Sequence, residues 1–216
     1  MDRNVLENRL VAVGEEAMLC ERKCEGVRRV EMQCSPTAQT VISGNTIGCV
    51  VVGLAPLRNR RTTTSGQRNQ LGSGHCAQVP VSFSKLQAFC AELGLKDSFI
   101  WTSLCKCERI KGEKLPPETM KACAQNFLAK ELELVERSVP IIALGNRVFD
   151  TIRRCFPDRF VLNIPSPDGP RGDFQETIGN KRLLDLAKKR VITGKPGSLC
   201  LCPTCARKYF ADQVAS

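Results

Sequence analysis

The cysteines are the side chains in this sequence best equipped for chemistry. Cys20 and Cys24 are four residues apart, one helical turn if the N-terminal helix continues that far, while Cys107 and Cys123 are separated by fifteen residues that include Pro116-Pro117-Glu118. Four thiolates from two distant pairs can ligate a zinc ion or a cubane iron–sulfur cluster, and spacing alone leaves both open, together with a Cys123 that is simply core. Cys105 lies two residues before Cys107 and points the same way along an extended segment, which makes it a reserve ligand. Further on, Cys200-Leu201-Cys202-Pro203-Thr204-Cys205 contains a CxxC knuckle. Three local thiols are one short of a zinc site, so Cys34, Cys76 or His75 are candidates to complete it; alternatively Cys202 and Cys205 compete for the cluster. His75 is the only histidine, and so either a proton donor and acceptor near neutral pH or a plain surface residue.

Composition bounds what these residues serve. The chain has 216 residues, enough for one large α/β domain or a domain with a small appendage. Its net charge of +10 suits a polyanionic partner, because neutralised phosphates release condensed counterions. The N-terminal stretch MDRNVLENRL has no apolar core of a secretory signal, and no apolar run approaches the roughly 20 residues of a membrane span. A cytoplasmic monomer is therefore expected. Thirteen cysteines in such a chain point to metal or buried packing rather than disulfides.

Four apolar runs must position these groups: 47–53, 98–103, 139–145 and 159–163 read as buried strands, rich in β-branched and aromatic residues. Helical spacing links Phe83, Leu86, Cys90 and Leu93 before Gly94, and a second helix starts at Pro117. Two more helices are predicted over 146–156 and 175–190. Alternating strands and helices imply a three-layer α/β/α domain around a central four-stranded parallel sheet, with ligands in the crevice beyond the strands' carboxyl ends. That domain spans 1–192; residues 193–216 form a cysteine-containing tail. Residues 57–74 are polar, basic and rich in Gly, Ser and Thr, as a loop is.

The stretch Trp101-Thr102-Ser103-Leu104-Cys105-Lys106-Cys107 resembles the iron–sulfur uracil-DNA glycosylases, family 4 and its relatives. There a strand ends in Thr-Asn-x-x-Lys-Cys, followed by a proline-rich loop, a cysteine fifteen residues on, a helix, and a proline-led strand ending in Leu-Gly, as in Pro140–Gly145 here. The cysteine pair 20/24, the Gly53-Leu54-Ala55-Pro56 turn and Pro165-Ser166-Pro167 fall in the same order, so the likeness covers about residues 15–190. It implies a uracil-DNA glycosylase-like fold, a [4Fe-4S] cluster on Cys20, Cys24, Cys107 and Cys123, a base pocket formed by Gly53, Ala55, Pro56, Ser103, Ile164, Pro165 and Ser166, and a role in DNA repair. The cluster would be structural, tying the N-terminal helix to the loop after the second strand.

Base excision requires a flipped base, read on its polar edge and stabilised as an anion on departure. At these positions the sequence departs from the family. Leu54 replaces an acid, Ser103 replaces the asparagine that reads uracil, and Ile164 replaces the histidine before Pro-Ser. Arg58, Arg60 and Arg61 stand where acids would follow the first turn, and with Arg171 they are candidate phosphate contacts. The expectation is a DNA-binding iron–sulfur protein with base excision altered or lost. The alternative is an active glycosylase hydrolysing the N-glycosidic bond of uracil or another damaged base through His75 and Ser103. Asp168, after Pro165-Ser166-Pro167, either orients water or simply makes an Asp-Gly turn.

Overall fold

The computed structural model describes residues 2–28, 39–41, 46–55, 83–95, 99–110, 112–167, 169 and 172–214. In chain order the elements are α1 (Arg3–Met18), β1 (Val27–Arg28), β2 (Gln39–Val41), β3 (Cys49–Gly53), α2 (Phe83–Glu92), β4 (Phe99–Ser103), β5 (Glu108–Arg109), α3 (Pro117–Cys123), α4 (Ala129–Leu132), β6 (Ile141–Leu144), α5 (Asn146–Cys155), β7 (Phe160–Ile164), α6 (Asp173–Gly179), α7 (Lys181–Thr193), β8 (Gly197–Cys200) and α8 (Pro203–Val214). A π-helical stretch, Ala124–Leu128, joins α3 to α4.

The four apolar runs are strands, but the sheet is larger than expected. Its order is β2-β4-β3-β6-β7-β8, with β2 antiparallel on β4 and the other five strands parallel. The four-stranded expectation is corrected by β8, which comes from the segment set apart as a tail. Gly197–Cys200 pairs with Phe160–Asn163, residue for residue. Gly-Ser-Leu-Cys is too short and too poor in β-branched residues to announce a strand. The parallel strands follow the doubly wound order 2-1-3-4-5, whose switch point lies between β3 and β6.

Strand alternation divides the core into two layers. Val50, Val52, Ile100, Ile141, Ala143 and Val161 face α1, α3, α4 and α5. Cys49, Val51, Phe99, Ile142, Phe160, Leu162 and Leu199 face α2, α6, α7 and α8. The predicted stripe is buried at Leu86, Cys90 and Leu93, with Phe89 joining them, while the Phe83 side chain lies outside what the structure describes. One predicted helix is two: Asn180 ends α6 and caps α7, its side chain accepting the Leu183 N–H at 3.2 Å. No helix among the described residues is long and apolar enough to cross a membrane.

Candidate metal centres

Two thiol clusters stand near the carboxyl edge of the sheet, one beyond β4 and one at the end of β8. The first lines a small cavity with Cys20, Cys24, Cys105, Cys107 and Cys123, and Arg22 and Lys106 contribute to the same wall. Three short-range devices bring these distant residues together. The two-stranded β1–β5 sheet pairs Val27 with Arg109 and Arg28 with Glu108, which sets Cys24 beside Cys107. Gly26 makes the turn into β1 at φ +72°, and a Cβ there would meet the Lys114 carbonyl oxygen at 2.8 Å. The chain after β4 stays parallel to the turn after β3, with Leu104 N–H donating to Gly53 O at 2.8 Å and Cys105 N–H to Leu54 O at 3.0 Å. Gly53 and Leu54 therefore fix the cysteine loop by backbone alone.

Cys123 ends α3, immediately before the π-helical stretch, whose Asn126 and Phe127 also face the cavity. Such stretches reset the phase of a helix and recur at functional sites. Val13 and Ala17 of α1 pack on Phe127, with Cys20 and Cys123 at the margin. A Glu16–Lys130 ion pair adds a surface link between α1 and α4.

The cavity is electrostatically uneven. A hydrogen bond from the Cys105 thiol, aided by the backbone N–H (3.2 Å) and charge of Lys106, outweighs desolvation and holds Cys123 down at about 7. Cys105 is pushed well up by that hydrogen bond and by burial. Burial, then the neighbouring Cys20 and Cys123, raise Cys24 against the opposing charge of Arg22. Cys123 is thus the thiolate-prone sulfur of this cavity and Cys105 its protonated neighbour.

Beneath the cavity lies a closed polar triangle that sequence reasoning missed. Lys106 Nζ meets Glu131 Oε1 at 2.6 Å and donates to Thr102 Oγ1 at 2.6 Å, and the Thr102 hydroxyl donates to Glu131 Oε2 at 2.8 Å. Lys106 and Glu131 are each 1% exposed. The Thr and Lys of the family-like motif thus serve here as partners of a buried carboxylate.

The second cluster is Cys200, Cys202 and Cys205, whose sulfur atoms lie within 4.8 Å of one another and could hold a metal ion. Cys200 is pushed up to about 12, chiefly by burial. Burial also pushes Cys202 up, but the backbone N–H groups of Cys205 and Thr204 and the adjacent thiols outweigh it, so its net shift is downward. Asn163, fully buried in β7, donates to Cys200 Sγ at 3.0 Å and to Asn146 Oδ1 at 2.6 Å. Nothing but a lone polar residue in an apolar strand could have signalled it. Two other cysteines, Cys49 and Cys90, pair at 3.7 Å inside the α2-side core, away from either cluster.

Of the expected base-pocket residues, Gly53, Ala55, Ser103, Pro165 and Ser166 are part-exposed at or just beyond the carboxyl ends of β3, β4 and β7. Ile164 is fully buried and belongs to the α2-side core, because strand alternation turns it that way. Pro56, Arg58, Arg60, Arg61, His75, Asp168 and Arg171 lie outside the described residues, as do Cys34 and Cys76. The chain matches no protein-family model and no curated protein.

Proposed function

We propose that the chain is a DNA-binding iron–sulfur protein of the uracil-DNA glycosylase superfamily whose base-excision activity is altered or lost. The observation that carries this reading is the single cavity lined by Cys20, Cys24, Cys107 and Cys123, the four residues that the family likeness singles out. The donor set fits a cluster: four soft ligands, a fifth thiol and a backbone N–H beside Cys123 Sγ, and the cationic Arg22 on the same wall near an anionic group. Among the described residues only Cys200, Cys202 and Cys205 draw three sulfurs within 4.8 Å, so the first cavity suits a polynuclear group better than one ion. When bound, the cluster cross-links α1 to the loop after β4. For Cys200, Cys202 and Cys205 the proposed ion is zinc, which three thiolates suit.

Support for the DNA-facing part is the doubly wound strand order with small and polar residues at its carboxyl edge, together with the +10 charge. DNA binding is expected to weaken steeply with salt. Replacing Arg58, Arg60 and Arg61 together by Gln should flatten the plot of log affinity against log salt by up to about three units. An unchanged slope would mean that this segment does not meet phosphate.

Uracil release is expected to be at least about a hundredfold slower than from an active family member, the cost of one missing oxyanion donor. Ile164 offers no donor and packs into the core, so Ile164→His would bury a polar ring there rather than rebuild a site. A panel of damaged oligonucleotides in single-turnover assays checks this. Rapid release by the unmodified protein, lost in Ser103→Ala or His75→Ala, would favour the active-glycosylase alternative.

A further inference from the structure

The zinc assigned above to the C-terminal thiols sits on a more elaborate support than three cysteines alone provide. Cys202 immediately precedes α8, a helix of 12 residues, and its carbonyl accepts the Ala206 N–H at 2.9 Å, so its thiol stands at the opening of that helix. Cys200 Sγ and Cys202 Sγ are 3.3 Å apart, and tetrahedral Zn–S bonds of about 2.3 Å need sulfurs about 3.8 Å apart, so a shift of a few tenths of an ångström admits the ion.

Asn163 is the second, independent observation. It is registered directly opposite Cys200 across β7 and β8, and it is 0% exposed. A primary amide in an otherwise apolar strand is costly unless its polar atoms are used. Its amide hydrogens go to Cys200 Sγ and Asn146 Oδ1, while its own Oδ1 has no partner among the described residues. The N–H contact to sulfur suits a metal thiolate, since groups of this kind orient ligands from behind. Among the described residues that oxygen meets no donor, and a water molecule carried by the ion would supply one. Among the described residues no histidine, carboxylate or fourth cysteine completes the group.

We infer that Cys200, Cys202 and Cys205 hold one zinc ion as a three-thiolate centre whose fourth ligand is an exchangeable water, displaceable by a small anion, with Asn163 as its positioning residue. Three protein ligands and an open fourth position are the pattern of reactive rather than purely structural zinc. The inference rests on the zinc reading of this segment and not on the iron–sulfur or DNA readings.

The test uses the full chain, loaded with one equivalent of zinc and, separately, of cobalt. Zinc should bind one to one, fall at least tenfold in Cys202→Ser, and persist in Cys107→Ser; loss in Cys107→Ser alone would place the zinc in the other cavity and overturn the assignment. Iron content, unaffected in Cys202→Ser, reports the cluster reading separately. The cobalt form should show sulfur-to-metal charge transfer scaled to three thiolates, and its visible bands should move when azide is added. A four-thiolate spectrum indifferent to azide would overturn the exchangeable ligand, identifying a closed site completed by a further cysteine such as Cys34 or Cys76. Asn163→Leu should weaken zinc binding roughly 10–100-fold while leaving the metal-free protein's unfolding midpoint little changed. If that variant does not fold, Asn163→Ser, which keeps a shorter donor, should show an intermediate loss. Unchanged zinc affinity in the folded variant would overturn the positioning role.

Discussion

Lys106→Met is expected to destabilise the protein by about 3–5 kcal/mol, as is Glu131→Leu, whereas the double substitution should recover most of that loss. Lys106 and Glu131 face each other at 2.6 Å with 1% exposure, so either single change leaves one full charge in the interior without its counter-ion. Thr102 cannot stand in, because one hydroxyl supplies a hydrogen bond but no charge. Removing both charges removes the desolvation penalty along with the attraction, and the side chains are long enough to keep the space filled. Against a total stability of roughly 5–15 kcal/mol, each single change is large. Urea unfolding of the four proteins in the cycle measures it. Single losses below about 1 kcal/mol, or a double mutant as unstable as the sum, would show that the triangle is not a coupled unit. The same variants should lose iron faster, since Lys106 sits between Cys105 and Cys107 and its N–H meets Cys123 Sγ.

Cys107→Ser and Cys123→Ser are each expected to cut iron and acid-labile sulfide at least tenfold in protein purified without air. Cys155→Ser, at the far end of α5, should keep both. A cluster on these residues joins points about ninety positions apart in sequence. By analogy with a cross-link, losing that closure costs on the order of 4 kcal/mol. Cys105→Ser tests the fifth thiol: if Cys105 is only the hydrogen-bonding neighbour of Cys123, iron content stays high. A colourless wild-type protein carrying zinc alone in the first cavity would remove the cluster from the proposal.

How much of this could be read beforehand differed from element to element for physical reasons. Strands β3, β4, β6 and β7 are continuous apolar runs because both of their faces are covered, and such runs stand out in any sequence. Strand β8 is four residues long, begins Gly-Ser, and is recognisable only through its pairing with β7. The β1–β5 pair has two residues on each side, below any periodicity, yet it is what sets Cys24 beside Cys107. The cysteines were legible through type and spacing. Glu131 was not, for in Lys130-Glu131-Leu132-Glu133 both acids look solvated, and only packing buries the first and exposes the second. Ile164 was identified by its place in a motif, but a motif does not say which face of a strand a residue occupies.

Because Gly197–Cys200 forms the outer strand of the parallel sheet, β7 is an interior strand only while the C-terminal segment is in place. All five β7 residues are buried, and four of them are large and apolar. A chain lacking everything from Gly197 onward would present Phe160–Ile164 as an open row of backbone donors and acceptors on an apolar ribbon, the usual template for edge-to-edge self-association. The last twenty residues, including the three thiols, therefore act as the seal on one margin of the sheet. Whatever loosens them exposes the protein's most adhesive strand.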